Sequence, residues 1–214
     1  MPCTVAKHAG FCMGVRQAVE KAERAAAQAR ERGIPCYSLG EVVHNPLVTS
    51  RLQQLGVQVV ERVEDARGGL LILRSHGVAP QVLSACRENG VDYVDCTCAR
   101  VRALHERAAA YSAGGLPVVL VGDGEHPEVR GTAGWCQGPV YTVYTAQDVA
   151  ALPPLPRALV ASHARNKRQN AHAQAEVAGG FALFASAYSV KNKRSRNYPH
   201  PHSKKQSRMK FKVH

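Results

Sequence analysis

The chain has 214 residues, 45% of them hydrophobic, enough to bury a core in one or two ordinary domains and too much for a wholly disordered protein. No apolar stretch reaches the ~18 residues that a membrane span needs, and Met1-Pro2-Cys3-Thr4-Val5-Ala6-Lys7-His8 lacks the apolar centre of a secretory signal, so the cytoplasm is the expected compartment. The formal charge of +12 sits in the tail: residues 164–214 hold 12 of the 28 Lys and Arg and one acidic residue, Glu176, leaving residues 1–163 at +1.

In chain order, residues 4–6 predict a short buried strand, and residues 14–32, rich in Ala, Glu, Arg and Lys, predict a long helix stopped by Gly33. Strand-like runs follow at 36–39, 57–60, 70–73, 93–95, 118–121, 140–143 and 158–161, with helix-like segments at 46–54, 80–88, 99–112 and 127–134 between many of them. Pro46, Pro80 and Pro127 each open a helix, where a missing N–H costs nothing. Strands alternating with helices at this spacing predict an α/β fold with parallel sheets. Regularity ends near Ser162, beyond which lie a small apolar island at 181–188 and a basic run without periodicity from Lys191, the composition of a disordered segment.

Five polar motifs stand where apolar runs give way to helices: Gly10-Phe11-Cys12-Met13-Gly14-Val15, Glu41-Val42-Val43-His44-Asn45, Ser75-His76-Gly77-Val78, Asp95-Cys96-Thr97-Cys98 and Gly124-Glu125-His126-Pro127-Glu128-Val129. Positions just past the carboxyl ends of parallel strands line the ligand crevice of an α/β protein, so these motifs are expected to share one cavity. Cys12 lies between Gly10 and Gly14 at a helix start, which favours an anionic thiolate and lets backbone approach a bulky cofactor; the plainer reading is a buried thiol beside a tight turn. In Asp95-Cys96-Thr97-Cys98 the strand is ending, so one of the two thiols is expected to point inward, and the sequence alone does not say which. His44, His76 and His126 repeat the same placement, where ring N–H donors and free backbone amides suit phosphate; each taken singly also reads as a structural histidine. Glu128 can enter the same cavity as a proton carrier, or serve only as a favourable charge in a first helical turn. The seven cysteines are an odd number in a chain too large to need staples, which points to metal ligands and buried thiols; Cys3, Cys36, Cys86 and Cys136 read as packed or incidental. A zinc site using Cys96, Cys98 and nearby histidines is a weaker alternative, since paired Cys-x-x-Cys spacing is missing.

Taken together, and with His126-Pro127-Glu128-Val129-Arg130-Gly131-Thr132 included, these motifs resemble the 4-hydroxy-3-methylbut-2-enyl diphosphate reductase family over roughly residues 3–161. The resemblance implies three α/β lobes around a [4Fe-4S] cluster, each lobe giving one cysteine. It puts Cys12 and Cys98 on the first two ligand positions, His44, His76 and His126 on the diphosphate- and hydroxyl-binding positions, and Glu128 on the proton donor. The implied reaction is a two-electron, two-proton reductive dehydroxylation of an allylic diphosphate to isopentenyl and dimethylallyl diphosphates, the last step of the methylerythritol phosphate route. A ferredoxin or flavodoxin would supply the electrons.

Three departures accompany the likeness. Cys96-Thr97-Cys98-Ala99 stands for the family's Ala-Thr-Cys-Pro, and Ser162-His163-Ala164-Arg165 stands near its Gln-Thr-Thr element. The third lobe, with its cysteine and its Ser-x-Asn segment, has no counterpart. The expected organisation is a first lobe at 1–97, a second at 98–163 and a low-order basic tail at 164–214 in place of the third. The change near Ser162 is read as a shifted reading frame or gene model, which translating the other frames would test. The competing functional reading is a non-catalytic fragment whose tail, with Lys191, Lys193, Arg194 and Arg196 and with Tyr198 and Phe211 nearby, is attracted to nucleic acid or acidic membrane without sequence specificity. No fold for specific nucleic-acid recognition accompanies it.

Overall fold

The structure, a computed structural model, describes residues 10–155, 157–162 and 183–186. The expected strand at 4–6 and the basic run from Lys191 lie outside the described residues.

Two four-stranded parallel sheets organise the chain. Helix α1 (Met13–Glu31) leads into β1 (Cys36–Leu39), α2 (Pro46–Gln54), β2 (Val57–Val60), a 3-10 turn (Val63–Ala66), β3 (Leu70–Leu73), α3 (Pro80–Glu88) and β4 (Asp92–Asp95). These strands lie in the order β2-β1-β3-β4. The second sheet follows α4 (Ala99–Ala113) with β5 (Val118–Val121), α5 (Pro127–Gly134), β6 (Val140–Val143), α6 (Ala146–Ala150), β7 (Leu159–Ser162) and β8 (Leu183–Ser186), in the order β6-β5-β7-β8.

Residue type explains which strands are central. Leu70-Leu71-Ile72-Leu73 and Val118-Val119-Leu120-Val121 are buried at every position, as expected of parallel strands covered on both faces. Leu70 and Ile72 face one way, into a cluster with Ala18, Ala22, Ala25, Ala26 and Ala29 of α1. Leu71 and Leu73 face the other, toward Val63, Cys86 and Val91. The alanine stripe on α1 follows helical spacing and lets that helix lie close to the sheet. In the second sheet Val118 and Leu120 meet Leu104 and Ala108 of α4, while Val119 and Val121 meet Val143 and Leu155 on the opposite face.

Most expected elements stand where the sequence places them. Three are additional. The turn Val63–Ala66 and helix α6 are too short to leave a periodic signature, and α6 rests on a capping box in which Thr145 and Asp148 satisfy each other's backbone. Strand β8 falls in the apolar island beyond Ser162, where no strand was expected, and pairs in parallel with β7 from Leu159↔Leu183 to Ser162↔Ser186. Its basic surroundings hide a run that pairs only across a long stretch of chain.

Strand order has one consequence for function. Each sheet reverses direction between its two inner strands, β1/β3 in the first and β5/β7 in the second, and such switch points open a crevice at the carboxyl ends. His44 follows β1, His76 follows β3 and His126 follows β5.

Candidate functional site

The three imidazoles converge. His44 stacks on His76 with ring centroids 4.3 Å apart, and His126 meets both edge-on at 5.6 and 5.7 Å. Two rings come from the switch point of the first sheet and the third from that of the second, so the cluster joins residues of both sheets.

Local structure fixes each ring. Asn45 caps α2 by accepting from Leu47 N and Val48 N, which holds the turn carrying His44, and His44 Nδ1 lies 3.4 Å from Glu41 Oε2. His126 is itself the N-cap of α5: its Nδ1 accepts from Glu128 N at 3.2 Å. That bond requires a bare Nδ1 and leaves the ring proton on Nε2. Glu128 is buried at 3% exposure, and Thr132 Oγ1 donates to its backbone carbonyl at 2.9 Å. The carboxyl therefore hangs from a backbone pinned on both sides.

His76 is the most perturbed of the group. Burial, with repulsion from His44 second, lowers its pKa from 6.5 to about 4, against an opposing pull from Glu128. Its Nδ1 is buried without a hydrogen-bond partner among the described residues. The ring is thus neutral at neutral pH and available to a ligand. Between pH 6.5 and 4 the unfolded chain takes a proton that the folded ring refuses, so acid destabilises the fold across that window. The expected loss is about 3 kcal/mol, complete near the lower limit. Urea unfolding at a series of pH values measures it, and His76→Gln should flatten the slope; an equal slope in that variant would contradict the assignment.

The thiols settle the choice left open in Asp95-Cys96-Thr97-Cys98. Cys96 is 2% exposed in the core cluster beneath α1, and burial pushes its thiol up to about 12. Cys98 instead caps the start of α4 with no side-chain bond of its own, and its backbone N donates to Ser75 O at 3.0 Å, beside His76. Asp95 shapes this turn, accepting from Thr97 N at 2.8 Å and from Arg102 Nη2 at 2.7 Å. Cys98 Sγ occupies the place where a Cβ on Gly14 would stand. Glycine is needed there for close approach rather than for its backbone angles. Cys12, exposed, caps the start of α1 two residues earlier, so both sulfurs sit at the positive ends of helices that touch.

The zinc alternative loses its pair, because Cys96 is in the core while Cys98 is at the helix start. Cys36 and Cys86 are buried, Cys136 is half-buried with its Sγ 3.6 Å from Thr132 O, and Cys3 lies outside the described residues. Among the described residues no group of three His, Cys, Asp or Glu side chains is arranged to hold a metal ion. Two further residues, His105 and Trp135, pack beside Gly77 and Val78 and have no motif to reveal them. The available sign for His105 is a histidine on the buried stripe Val101, Leu104, His105 and Ala108 of α4.

Comparison with known proteins shows the family and the fold. The family model described as LytB protein matches residues 3–182, running past Ser162. A 4-hydroxy-3-methylbut-2-enyl diphosphate reductase of Geobacter sp. (strain M21) is 42% identical over 154 residues, 72% of this chain and 53% of the relative. The protein of the same name from Aquifex aeolicus (strain VF5) is 36% identical over 191 residues, 88% of this chain and 64% of the relative. A solved structure of (E)-4-hydroxy-3-methyl-but-2-enyl diphosphate reductase superposes with a TM-score of 0.74 at 34% identity, covering 85% of this chain and 66% of that one. The reductase structure from Plasmodium falciparum, at 22% identity and a TM-score of 0.75, shares the fold. The chain thus spans about half to two thirds of the length of these relatives. With a family match across most of its length and an α/β architecture like the solved reductases, the chain belongs to the LytB protein family.

Proposed function

We propose that this chain forms two lobes of a 4-hydroxy-3-methylbut-2-enyl diphosphate reductase, an oxidoreductase of the last step of the methylerythritol phosphate route. The observation that carries the reading is the triangle of His44, His76 and His126 beside the buried Glu128. Such a cluster suits a diphosphate: the rings of His126 and a neutral His76 offer N–H donors, and His126 stands at the start of α5, the positive end of a helix. Glu128, held by His126 and Thr132, is placed to give a proton to the oxygen that leaves. The balance is two electrons and two protons in, one C–O bond broken, one C–H bond formed and water released.

A [4Fe-4S] cluster would supply the electrons, fed by a ferredoxin- or flavodoxin-type carrier. Cys12 and Cys98 fit two of its thiolate positions, flanked by Gly14, which leaves room for nothing larger. The described residues give no third, and the sequence has no cysteine after Cys136. This chain's own residues therefore supply diphosphate binding, proton transfer and two of the cluster's thiolates. The lobe boundary falls between residues 97 and 98, supported by the packing of Leu104 and Ala108 of α4 on the second sheet, and the second lobe runs on to β8. Cytoplasmic placement is supported by the free thiols and by the finding that no described helix is long and apolar enough to cross a membrane.

The test is anaerobic reconstitution with iron and sulfide, followed by iron counting and an assay with the allylic diphosphate and a reductant. Bound iron, conversion to the two isomeric diphosphates and pyrophosphate binding that His126→Ala abolishes are the expected results. A colourless protein that neither binds pyrophosphate nor turns over would sink the reading.

A further inference from the structure

The seam between the two sheets is closed by His105 and Trp135, which lie outside every motif. Trp135, closing α5, donates its Nε1–H to Val78 O at 2.9 Å, across a sequence gap that spans both sheets. His105 of α4, 3% exposed, stacks on Trp135 with centroids 5.7 Å apart and an interplanar angle of 23°. The His105 ring also fills the space beside Gly77: a Cβ there would collide with His105 Cε1 and lie 3.2 Å from Thr97 Cγ2. Gly77 has φ +73, so its loop is shaped by a backbone that side chains avoid and by a ring that leaves no room for one. On the other side a Cβ on Gly131 would stand 3.5 Å from Gly77 O, and one on Gly134 would overlap Ala79 Cβ. Helix α5 therefore lies flush on residues 77–79.

This contact has a direct bearing on the histidine cluster. His76 precedes Gly77 in the clamped loop, whereas His126 and Glu128 begin the helix whose far end carries Gly131, Gly134 and Trp135. We propose that His105 and Trp135 are positioning residues, which hold the loop of the first sheet against α5 and so set His76 at its distance from His126 and Glu128. His44 and His76 belong to the same sheet and need no seam to meet. The spacing of His76 from His126 does need it, since no strand pairing joins the two sheets among the described residues. The geometric inference stands by itself, and its consequence for diphosphate binding rests on the function proposed above.

The measurement is ring-to-ring NMR cross-relaxation in the full chain with labelled histidines. The native protein should show cross peaks for both His44/His76 and His76/His126. Trp135→Phe keeps an aromatic ring for His105 to stack on but removes the bond to Val78; it should lose the His76/His126 peak and keep the His44/His76 peak. Val119→Ala, a core cavity away from the seam, should lower the melting temperature and keep both peaks, which separates positioning from general stability. A His76/His126 peak that persists unchanged in Trp135→Phe overturns the inference. Gly134→Ala reads the same quantity without deleting a hydrogen bond, by wedging the seam apart at Ala79, and serves if Trp135→Phe does not fold. Inorganic pyrophosphate titrations on the same variants separate the two proposals: undiminished affinity after the cross peak is gone leaves positioning intact and counts against the diphosphate reading.

Discussion

Cys98→Ser should abolish iron uptake while leaving the fold at least as stable, and Cys96→Ser should do the reverse. Serine at position 98 gains a favourable role, because Cys98 caps α4 without a side-chain bond and serine is a preferred N-cap, an exchange of about 0.5–1 kcal/mol in the stabilising direction. What it loses is the sulfur that packs against Gly14. Cys96 sits among alanines and aliphatic side chains beneath α1, where an extra hydroxyl must be buried, at a cost of about 1–3 kcal/mol. Urea unfolding and iron and sulfide counts after anaerobic reconstitution give the two readouts on the same samples. Iron lost in Cys96→Ser and retained in Cys98→Ser would reverse the assignment of the ligand.

Glu128→Gln should slow turnover by a factor of about 10² to 10⁴, the range for removing a placed proton donor, with pyrophosphate affinity unchanged. The substitution is close to isosteric, and two of the contacts that place residue 128 are made by its backbone: His126 Nδ1 accepts from its N–H and Thr132 Oγ1 donates to its carbonyl. The geometry survives and the transferable proton is removed. A matched fall in pyrophosphate affinity would recast Glu128 as a binding residue, and an unchanged rate would remove it from proton transfer.

The comparison of sequence with structure turns on range. Helices α1, α2, α3, α4 and α5 and seven strands are legible locally, because proline at N1, alanine-rich helical stripes and short β-branched runs are contained within a dozen residues. Strand β8 is not, since Leu183–Ser186 becomes a strand through pairing with β7, and its own neighbourhood is basic and irregular. Helix α6 has its capping box written at Thr145 and Asp148, but only five residues to carry a period.

The motifs by themselves determined the α/β class and the family and named six candidate site residues, because short polar turns at strand ends carry chemistry in their own spelling. Tertiary structure alone decided that Cys98 rather than Cys96 faces Gly14, that His44 and His76 share a switch point, and that His126 reaches them from the other sheet. Strand order and the seam through His105 and Trp135 decide these points. Both depend on which distant surfaces bury each other, a property of the folded whole that no local stretch of sequence holds.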